Sequence, residues 1–207
     1  MMHSIVNFVS LNINALLFSY TYILSVRPVT RAEKFGEKAW KDCFTLRIMA
    51  VIFESLIITN QLLWIWFPLP FVNWPVNENL IVRIIIGIAV GVPLTPFLLK
   101  GMKYAGRETM RPSKDAKMFT GIYQHIRHPQ ILGEMPWFIA IAFFVNSIFL
   151  VLWATLFVFL FTPVIIYFEE KDLMKRFGDK YIEYRRNTGA LIPRFWKKGR
   201  LKHTSER

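Results

Sequence analysis

The sequence contains few of the residues that build disulfide bonds or metal sites. Its 207 residues include a single cysteine, Cys43, which excludes an internal disulfide. Only four histidines are present; His125 and His128 lie three residues apart but have no third ligand near them, so no metal site is predicted. Internal repeats, low-complexity tracts and long linkers are also missing, and the chain is predicted to form one domain over residues 1–207.

Long apolar stretches dominate the composition, which is 54% hydrophobic and 16% aromatic. Because a bilayer core about 30 Å thick needs roughly 20 apolar residues per helix, the chain is predicted to be an all-α integral membrane protein with about five transmembrane helices. The apolar run 129–168 would be about 60 Å long as one helix, so a break near Asn146 and Ser147 is predicted to make it a hairpin. The first three helices are predicted within residues 1–100, at 4–26, 46–67 and 80–99.

The basic residues lie between the apolar stretches and give a net charge of +12. Residues 1–26 and 68–80 contain no Lys or Arg, whereas 27–45 contain five, 100–130 contain seven and 171–207 contain twelve. This alternation predicts an N terminus outside and a C terminus in the cytoplasm. A surface for nucleic acid would not have to follow the edges of apolar segments, so no nucleic-acid partner is predicted, and the surplus charge is expected to contact membrane lipid.

Several polar residues fall inside the predicted membrane helices, where they are costly unless they face protein or water. The first helix carries three asparagines, which indicate a face turned toward other helices. Arg83 is interpreted as reaching the outer membrane interface. Glu54 in the second helix fits a polar contact between helices and a functional site equally well. Glu134 lies in the opening turns of the fourth helix.

Residues 121–129, Gly-Ile-Tyr-Gln-His-Ile-Arg-His-Pro, end a basic loop and open the fourth helix. Pro129 suits the first turn of a helix, where its missing N–H has no intrahelical partner. Arg127 and His128 then lie beside free N–H groups at the positive end of that helix, which favours an anion. A carboxylate held in a fork from Arg127 and a lipid phosphate both remain possible ligands.

Glu169 and Glu170 follow the fifth helix at the same predicted membrane boundary as Arg127 and His128. Anionic head groups repel adjacent carboxylates, so this pair is better suited to a cation or to hydroxyl groups. The alternative is that the two acids simply begin a solvated helix.

A specific spacing links these segments to the end of the chain. It consists of Gly121, Ile122, Tyr123, Ile126, Arg127, His128, Pro129, Glu169, Glu170, Leu173, Phe177, Gly178, Tyr181, Tyr184, Gly189, Ile192 and Pro193. The pattern covers residues 105–195 and resembles the isoprenylcysteine carboxyl methyltransferases and the related phospholipid methyltransferases. The resemblance implies a cytoplasmic pocket for S-adenosylmethionine, in a cofactor-binding core at 101–195 that is followed by a basic tail at 196–207.

The resemblance also implies roles for individual residues. The residues implied to contact the cofactor are Gly121, Tyr123, Arg127, His128, Pro129, Glu169, Glu170, Tyr181, Ile192 and Pro193. The candidate catalytic residues are Arg127, Glu170 and Glu134: Arg127 would orient a carboxylate acceptor, whereas an amine acceptor would need a base such as Glu134 or Glu169. Alanine at Arg127 or Glu170 is expected to abolish methyl transfer in a folded protein.

The expected reaction is carboxyl O-methylation of a prenylated cysteine or a similar lipophilic acceptor, with N-methylation of a phospholipid amine as an alternative. The acceptor is expected to enter sideways between helices, where Pro163 could kink the fifth helix.

Family members usually have Tyr where this chain has Ile131. The following Leu132, Gly133 and Glu134 resemble membrane sterol reductases, which use a nicotinamide cofactor. A reductase and a non-enzymatic scaffold therefore remain alternatives.

The segment after Glu170 is predicted to form cytoplasmic helices that close the pocket. Leu173, Phe177, Tyr181 and Tyr184 fall on one face of a helix, and Gly178 is expected to kink or cap it. The basic residues on the other faces are expected to lie on the membrane surface. These are Lys171, Lys175, Arg176, Lys180, Arg185 and Arg186.

Overall fold

The computed structural model describes residues 1–114 and 119–194, and in this part of the chain the secondary structure is helical with no β-sheet. The all-α prediction is therefore confirmed for these residues, while the predicted basic tail at 196–207 lies outside them. The helices are α1 (Met2–Ser25), α2 (Pro28–Phe35), α3 (Lys38–Leu63), α4 (Leu80–Gly91), α5 (Thr95–Ala105), α6 (Pro129–Glu134), α7 (Pro136–Phe144), α8 (Ile148–Phe177) and α9 (Asp179–Asn187).

Three helical stretches are long and apolar enough to cross a membrane: Met2–Ser25, Leu80–Thr109 and Ile148–Phe177. The second of these contains α4, α5 and the 3₁₀ turn that follows each of them. The stretch Pro129–Phe144, which contains α6 and α7, is apolar but shorter. All five predicted segments are thus helical, and three of them have the length and composition of a membrane span.

The predicted break near Asn146 and Ser147 and the predicted cap at Gly178 are confirmed, but the expected end of the fifth helix at Phe168 is wrong, because α8 continues to Phe177 and contains Glu169 and Glu170. Asn146 has a φ of 65° and separates α7 from α8, and the Ser147 hydroxyl caps α8 by accepting from the Leu150 N–H. The Asn146 side-chain carbonyl also accepts from the backbone N–H groups of Val76 and Asn77, which holds the preceding loop against this turn. Gly178, with a φ of 57°, ends α8 and starts α9.

Polar side chains join α1 to its neighbours, as its three asparagines indicated. Asn60 of α3 donates to Asn7 at 2.9 Å and accepts from Asn14 at 2.9 Å. On α8, Trp153 donates from its indole N–H to Asn12 at 3.2 Å. Such bonds stabilise helix association where no water competes for them. They hold α1 between α3 and α8.

Close backbone packing places α6 against α5. A Cβ at Gly133 would lie 2.5 Å from the Leu98 backbone N and 2.7 Å from the Leu94 carbonyl oxygen, so only glycine permits this approach. An aromatic cluster of Phe18, Phe138 and Phe161 fills the centre of the bundle. Together these contacts bring the start of α6 to the side of α8 on which Glu169 and Glu170 lie.

Candidate active site

The backbone that precedes α6 is held by the C-terminal end of the described chain. Ile126 and Gly189 form an isolated parallel β-bridge. The N–H of Arg127 donates to the Gly189 carbonyl at 2.9 Å, and the N–H of His128 donates to the Ala190 carbonyl at 3.0 Å. α6 begins at Pro129, as the sequence predicted. The two segments of the family pattern, 121–129 and 189–193, are therefore hydrogen-bonded to each other.

Arg127 is a buried side chain whose three guanidinium nitrogens are all engaged by protein groups. Nε donates to Oε1 of Glu170 at 2.8 Å, and Nη2 lies 2.7 Å from the same oxygen. Nη1 donates to the carbonyl oxygens of Arg185, at 3.0 Å, and Thr188. The fork that the sequence suggested for a ligand carboxylate is thus occupied by Glu170. Arg127 acts here as the link between the start of α6, α8 and the C-terminal segment.

His128 lies between the two adjacent carboxylates of α8. Its Nδ1 is 3.0 Å from Oε2 of Glu169, and its Nε2 is 3.1 Å from Oε1 of Glu170. A carboxylate cannot donate a hydrogen bond, so both contacts are satisfied when His128 is the imidazolium. Burial lowers the pKa of His128, but hydrogen bonds and charge from Glu169 and Glu170 outweigh it and raise this pKa to about 8.

A polar cavity lies beside this cluster, between α1, α3, α8 and the turn after α5. Three arginines and three acids contribute to its wall, so its charges nearly balance. Its volume is about 70 Å³, below the roughly 300–1,000 Å³ of most ligand pockets. The wall is formed by Tyr22, Ser25, Val26, Pro28, Arg47, Ala105, Glu108, Thr109, Pro112, Tyr123, Arg127, His128, Pro129, Gln130, Ile131, Glu169, Asp172, Leu173 and Arg176.

The structure brings half of the predicted cofactor contacts to this wall. Tyr123, Arg127, His128, Pro129 and Glu169 line the cavity. Tyr123 is held in place by its hydroxyl, which accepts from the Gln130 amide at 2.9 Å.

The other predicted site residues lie outside the wall. Glu170 is behind His128, Tyr181 is 1% exposed and packs on Tyr184, and Ile192 is 76% exposed. Gly121, Pro193 and Glu134 also lie outside the wall of this cavity. Gly121 has a φ of 59° beside the Tyr104 ring, and Glu134 lies beside Glu54 of α3.

Several cavity residues were missed because they belong to no recognised motif. Arg47 of α3 donates from Nε to the Ser25 hydroxyl at 2.8 Å and from Nη1 to the Thr109 carbonyl at 2.7 Å. In the sequence, the only signal that Arg47 belongs to a site was its position just inside an apolar helix. For Arg176, the predicted membrane-surface position is wrong: its side chain is 5% exposed and pairs with Glu108 at 2.7 Å. Asp172 accepts from the backbone N–H groups at the start of α2.

An apolar groove of about 730 Å³ runs along the outside of the same helices. It lies between α6–α7 and the middle of α8, and Pro163 is part of it. Ile131 lines both this groove and the polar cavity, and it is 4% exposed. A single side chain therefore belongs to the walls of both spaces. Leu191 of the C-terminal segment also lines the groove.

Among the residues described, no group of three or more His, Cys, Asp or Glu side chains is placed to hold a metal ion. No solved structure matches the chain significantly.

Comparison with known proteins relates the chain to methyltransferases. The family model for phospholipid methyltransferase matches residues 83–180, from α4 into α9, which include the Arg127–His128 and Glu169–Glu170 pairs. Methanethiol S-methyltransferase of Pseudomonas deceptionensis is 26% identical over 83% of this chain and 69% of that protein. The enzyme of that name from Crocosphaera subtropica is 31% identical over 72% and 61%. Methanethiol S-methyltransferase 2 of Bradyrhizobium diazoefficiens is 27% identical over 91% and 75%.

The matched region thus contains both halves of the charged cluster that the structure assembles. The match to the phospholipid methyltransferase family model and the relatives together identify the chain as a membrane methyltransferase.

Proposed function

We propose that this protein transfers a methyl group from S-adenosylmethionine to a lipophilic acceptor, and that a small thiol is the acceptor. The observation that carries the proposal is the position of Ile131, which places the charged cavity directly beside an apolar groove. A charged cofactor and an apolar acceptor would then approach the same point from different surroundings. Methyl transfer needs such an approach, because the nucleophile, the methyl carbon and the sulfur must lie in line.

The cavity supports an adenosyl cofactor through its chemistry. Glu169 offers a carboxylate to a sulfonium, an ammonium or ribose hydroxyls, and its Oε1 accepts from no residue in the described part of the chain. The arginines of the same wall offer donors to a carboxylate. Since the enclosed volume is far smaller than an adenosyl ligand, binding requires the walls to separate. The C-terminal segment around Gly189 lies outside the wall, but its carbonyl groups hold the backbone of Arg127 and His128, two residues of that wall.

The thiol acceptor is supported by the relatives, each of which is named a methanethiol S-methyltransferase. In the reaction, the acceptor sulfur forms a bond to the methyl carbon as the bond from that carbon to the cofactor sulfur breaks. The thiol proton passes to a carboxylate of the wall, a role that we assign to Glu169 because one of its oxygens accepts from no described residue, and S-adenosylhomocysteine leaves. Glu170 and Arg127 hold His128 and the α6 start in position for this step.

Carboxyl O-methylation of a prenylated cysteine is the second candidate and rests on the family resemblance. It would need a cation to orient the acceptor carboxylate, and Arg127 is already paired with Glu170. Methylation of a phospholipid amine is supported by the description of the family model. All three acceptors would use the same cavity for the cofactor.

The reaction is tested with purified protein in detergent and S-adenosylmethionine labelled in its methyl group. Label should pass to methanethiol or ethanethiol, and more slowly or not at all to S-farnesylcysteine or phosphatidylethanolamine. Glu169→Gln should reduce this transfer at least a hundredfold, whereas Glu183→Gln, a change at an exposed acid of α9, should leave it unchanged. Saturable binding of NADPH without S-adenosylmethionine binding would support a reductase. Binding of neither cofactor would support a scaffold.

We further propose that the five helical segments cross the membrane five times, as one domain with three N-terminal crossings in 1–100 and the cofactor core in 101–195. The active site would then face the cytoplasm. Cysteines introduced at Asn77 and Glu183 in a Cys43→Ala background give the test. A membrane-impermeant maleimide should label residue 77 in intact cells and residue 183 only after lysis; the reverse pattern would overturn the orientation.

A further inference from the structure

Arg176 carries buried hydrogen-bond donors that have no acceptor in the part of the chain that the structure describes. Its side chain is 5% exposed, and Nη1 pairs with Oε1 of Glu108 at 2.7 Å. Its Nε and Nη2 are buried, and no acceptor for them exists among residues 1–114 and 119–194. Leaving donors of a charged group unpaired in a protein interior is costly. The same guanidinium lines the polar cavity, which is where an acceptor could reach it.

The orientation of this guanidinium is fixed by its neighbours. Its central carbon lies 5.3 Å from the centre of the Trp40 ring and 4.9 Å from that of Phe177. Glu108 in turn accepts from the Ser113 backbone N–H at 2.9 Å, which fixes the carboxylate that holds Nη1. Nε and Nη2 form the edge of a guanidinium that binds a carboxylate with two parallel hydrogen bonds. This edge is therefore the one left unused.

A second arginine stands on the same wall. Arg47 donates to the carbonyl oxygen of Thr109, the residue that follows Glu108. Two consecutive residues of one 3₁₀ turn thus hold both guanidiniums, and both line the same cavity. Arg127 cannot serve in this way because Glu170 and two backbone carbonyls occupy its nitrogens.

We propose that Arg176, with Arg47 beside it, binds the carboxylate at the amino-acid end of the adenosyl methyl donor. This inference rests on the proposed function, because it assumes that the cavity holds that donor. The charges of the wall favour a zwitterion over a phosphate-bearing ligand: Arg47, Arg127, Arg176 and the His128 imidazolium face Glu108, Glu169 and Asp172, which leaves an excess of only one positive charge. The amino-acid end carries one carboxylate and one ammonium, which suits such a wall. A nicotinamide dinucleotide would bring several negative charges without matching cations.

The test compares two adenosyl ligands, only one of which carries the amino-acid group. S-adenosylhomocysteine carries the carboxylate, and 5′-methylthioadenosine keeps the adenosine and the sulfur but lacks the amino-acid group. Calorimetry on the purified full-length protein in detergent should show that the wild type binds S-adenosylhomocysteine at least tenfold more tightly. Arg176→Met should remove about tenfold or more of that affinity, the usual effect of losing hydrogen bonds to a charged group, and change methylthioadenosine binding less than twofold.

Lys175→Met is the matched control, because it removes a neighbouring cation of α8 that pairs with Glu33 and lies outside the cavity wall. This variant should keep the preference for S-adenosylhomocysteine. If Arg176 matters only for folding, Arg176→Met should weaken the binding of both ligands equally, and that result would overturn the subsite. If Arg176→Met does not fold, Arg176→Lys retains the charge without the fork and should still lose several-fold of the preference.

Binding of the two ligands to the wild type distinguishes a failure of the proposed Arg176 subsite from a failure of the proposed function. Equal affinity for the two ligands would end the carboxylate assignment and leave the methyl-transfer proposal intact. Absence of binding to either ligand would refute the proposed cofactor, and the subsite with it.

Discussion

Arg127 and Glu170, 43 residues apart in the sequence, form an ion pair in which both side chains are less than a tenth exposed. Nε and Nη2 of the arginine lie 2.8 and 2.7 Å from one carboxylate oxygen, and the other oxygen lies 2.7 Å from Nε of Arg185. Breaking a buried pair by removing one partner typically costs about 3–5 kcal/mol, because a charge is left without compensation. The pair therefore contributes to both the fold and the site.

Arg127→Ala is expected to abolish methyl transfer and also to destabilise the protein by about 2–3 kcal/mol, because Glu170 would keep only His128 and Arg185 as partners and two carbonyl groups would lose their donor. This differs from the expectation of a folded, inactive variant that the sequence alone suggested. Arg185→Ala is the matched control: it removes a partner of the same carboxylate, but its side chain is half exposed, so the cost should stay below about 1 kcal/mol. Thermal unfolding in detergent measures both, and equal losses would contradict the distinction.

The pKa of His128 predicts a loss of stability in mild alkali. Because contacts with Glu169 and Glu170 raise this pKa from 6.5 to about 8, the contribution of the imidazolium is complete below about pH 6.5 and is lost as the pH rises through about 8. The loss should reach about 2 kcal/mol at most. His128→Gln should flatten the dependence of the melting temperature on pH between 6 and 9, whereas His125→Gln, at an exposed position, should not. An unchanged profile in His128→Gln would exclude this group as its origin.

Ile131 should control which acceptors react. If Ile131 separates the cavity from the groove, Ile131→Ala should raise the ratio of kcat/KM for butanethiol to kcat/KM for methanethiol. The ratio should rise roughly tenfold for each additional methylene group that the enlarged space accommodates. The ratio is independent of the fraction of folded enzyme, so a destabilised variant can still be measured. Ile139→Ala, which alters the groove away from the cavity, should leave the ratio unchanged. A parallel change in both variants would argue against a specific role for Ile131.

Gly133→Ala should destabilise the protein by about 1–3 kcal/mol, because the new Cβ would meet the backbone of α5 at 2.5 Å. A Cβ at Gly91 would meet only side chains of Ala140 and Trp137, at 3.2 Å, so Gly91→Ala should cost less. Denaturation of both variants under one set of detergent conditions gives the comparison. If Gly91→Ala were the more damaging change, close contact of α5 and α6 would not be the relevant constraint.

The ends of helices were predictable from the sequence wherever a single residue type determines the backbone conformation. Pro129 opens α6, Asn146 separates α7 from α8 and Gly178 separates α8 from α9, all as expected. In each case the signal is local, since it depends on a missing N–H or on a positive φ. The family pattern likewise identified the residues of α8 that meet the start of α6. It did so because their spacing is specific even though each residue alone is not.

The distribution of roles within the site was not predictable, because it depends on contacts between distant parts of the chain. Arg127 was expected to face a ligand, but carbonyl groups of Arg185 and Thr188 reach it first. Arg176 was assigned to the membrane surface by helical position alone. Its burial follows from the turn at Glu108, which lies 68 residues earlier in the sequence. No helical periodicity contains that information.

The bridge between Ile126 and Gly189 also has a consequence for biosynthesis. The strip that satisfies Arg127 and His128 leaves the ribosome after all nine described α-helices have been made. Until then Arg127 lacks the carbonyl group of Thr188, and the N–H of His128 lacks the carbonyl of Ala190. Newly made chains should therefore acquire affinity for the methyl donor only on completion of this last strip, and a chain that stops at residue 178 should insert without ever gaining it.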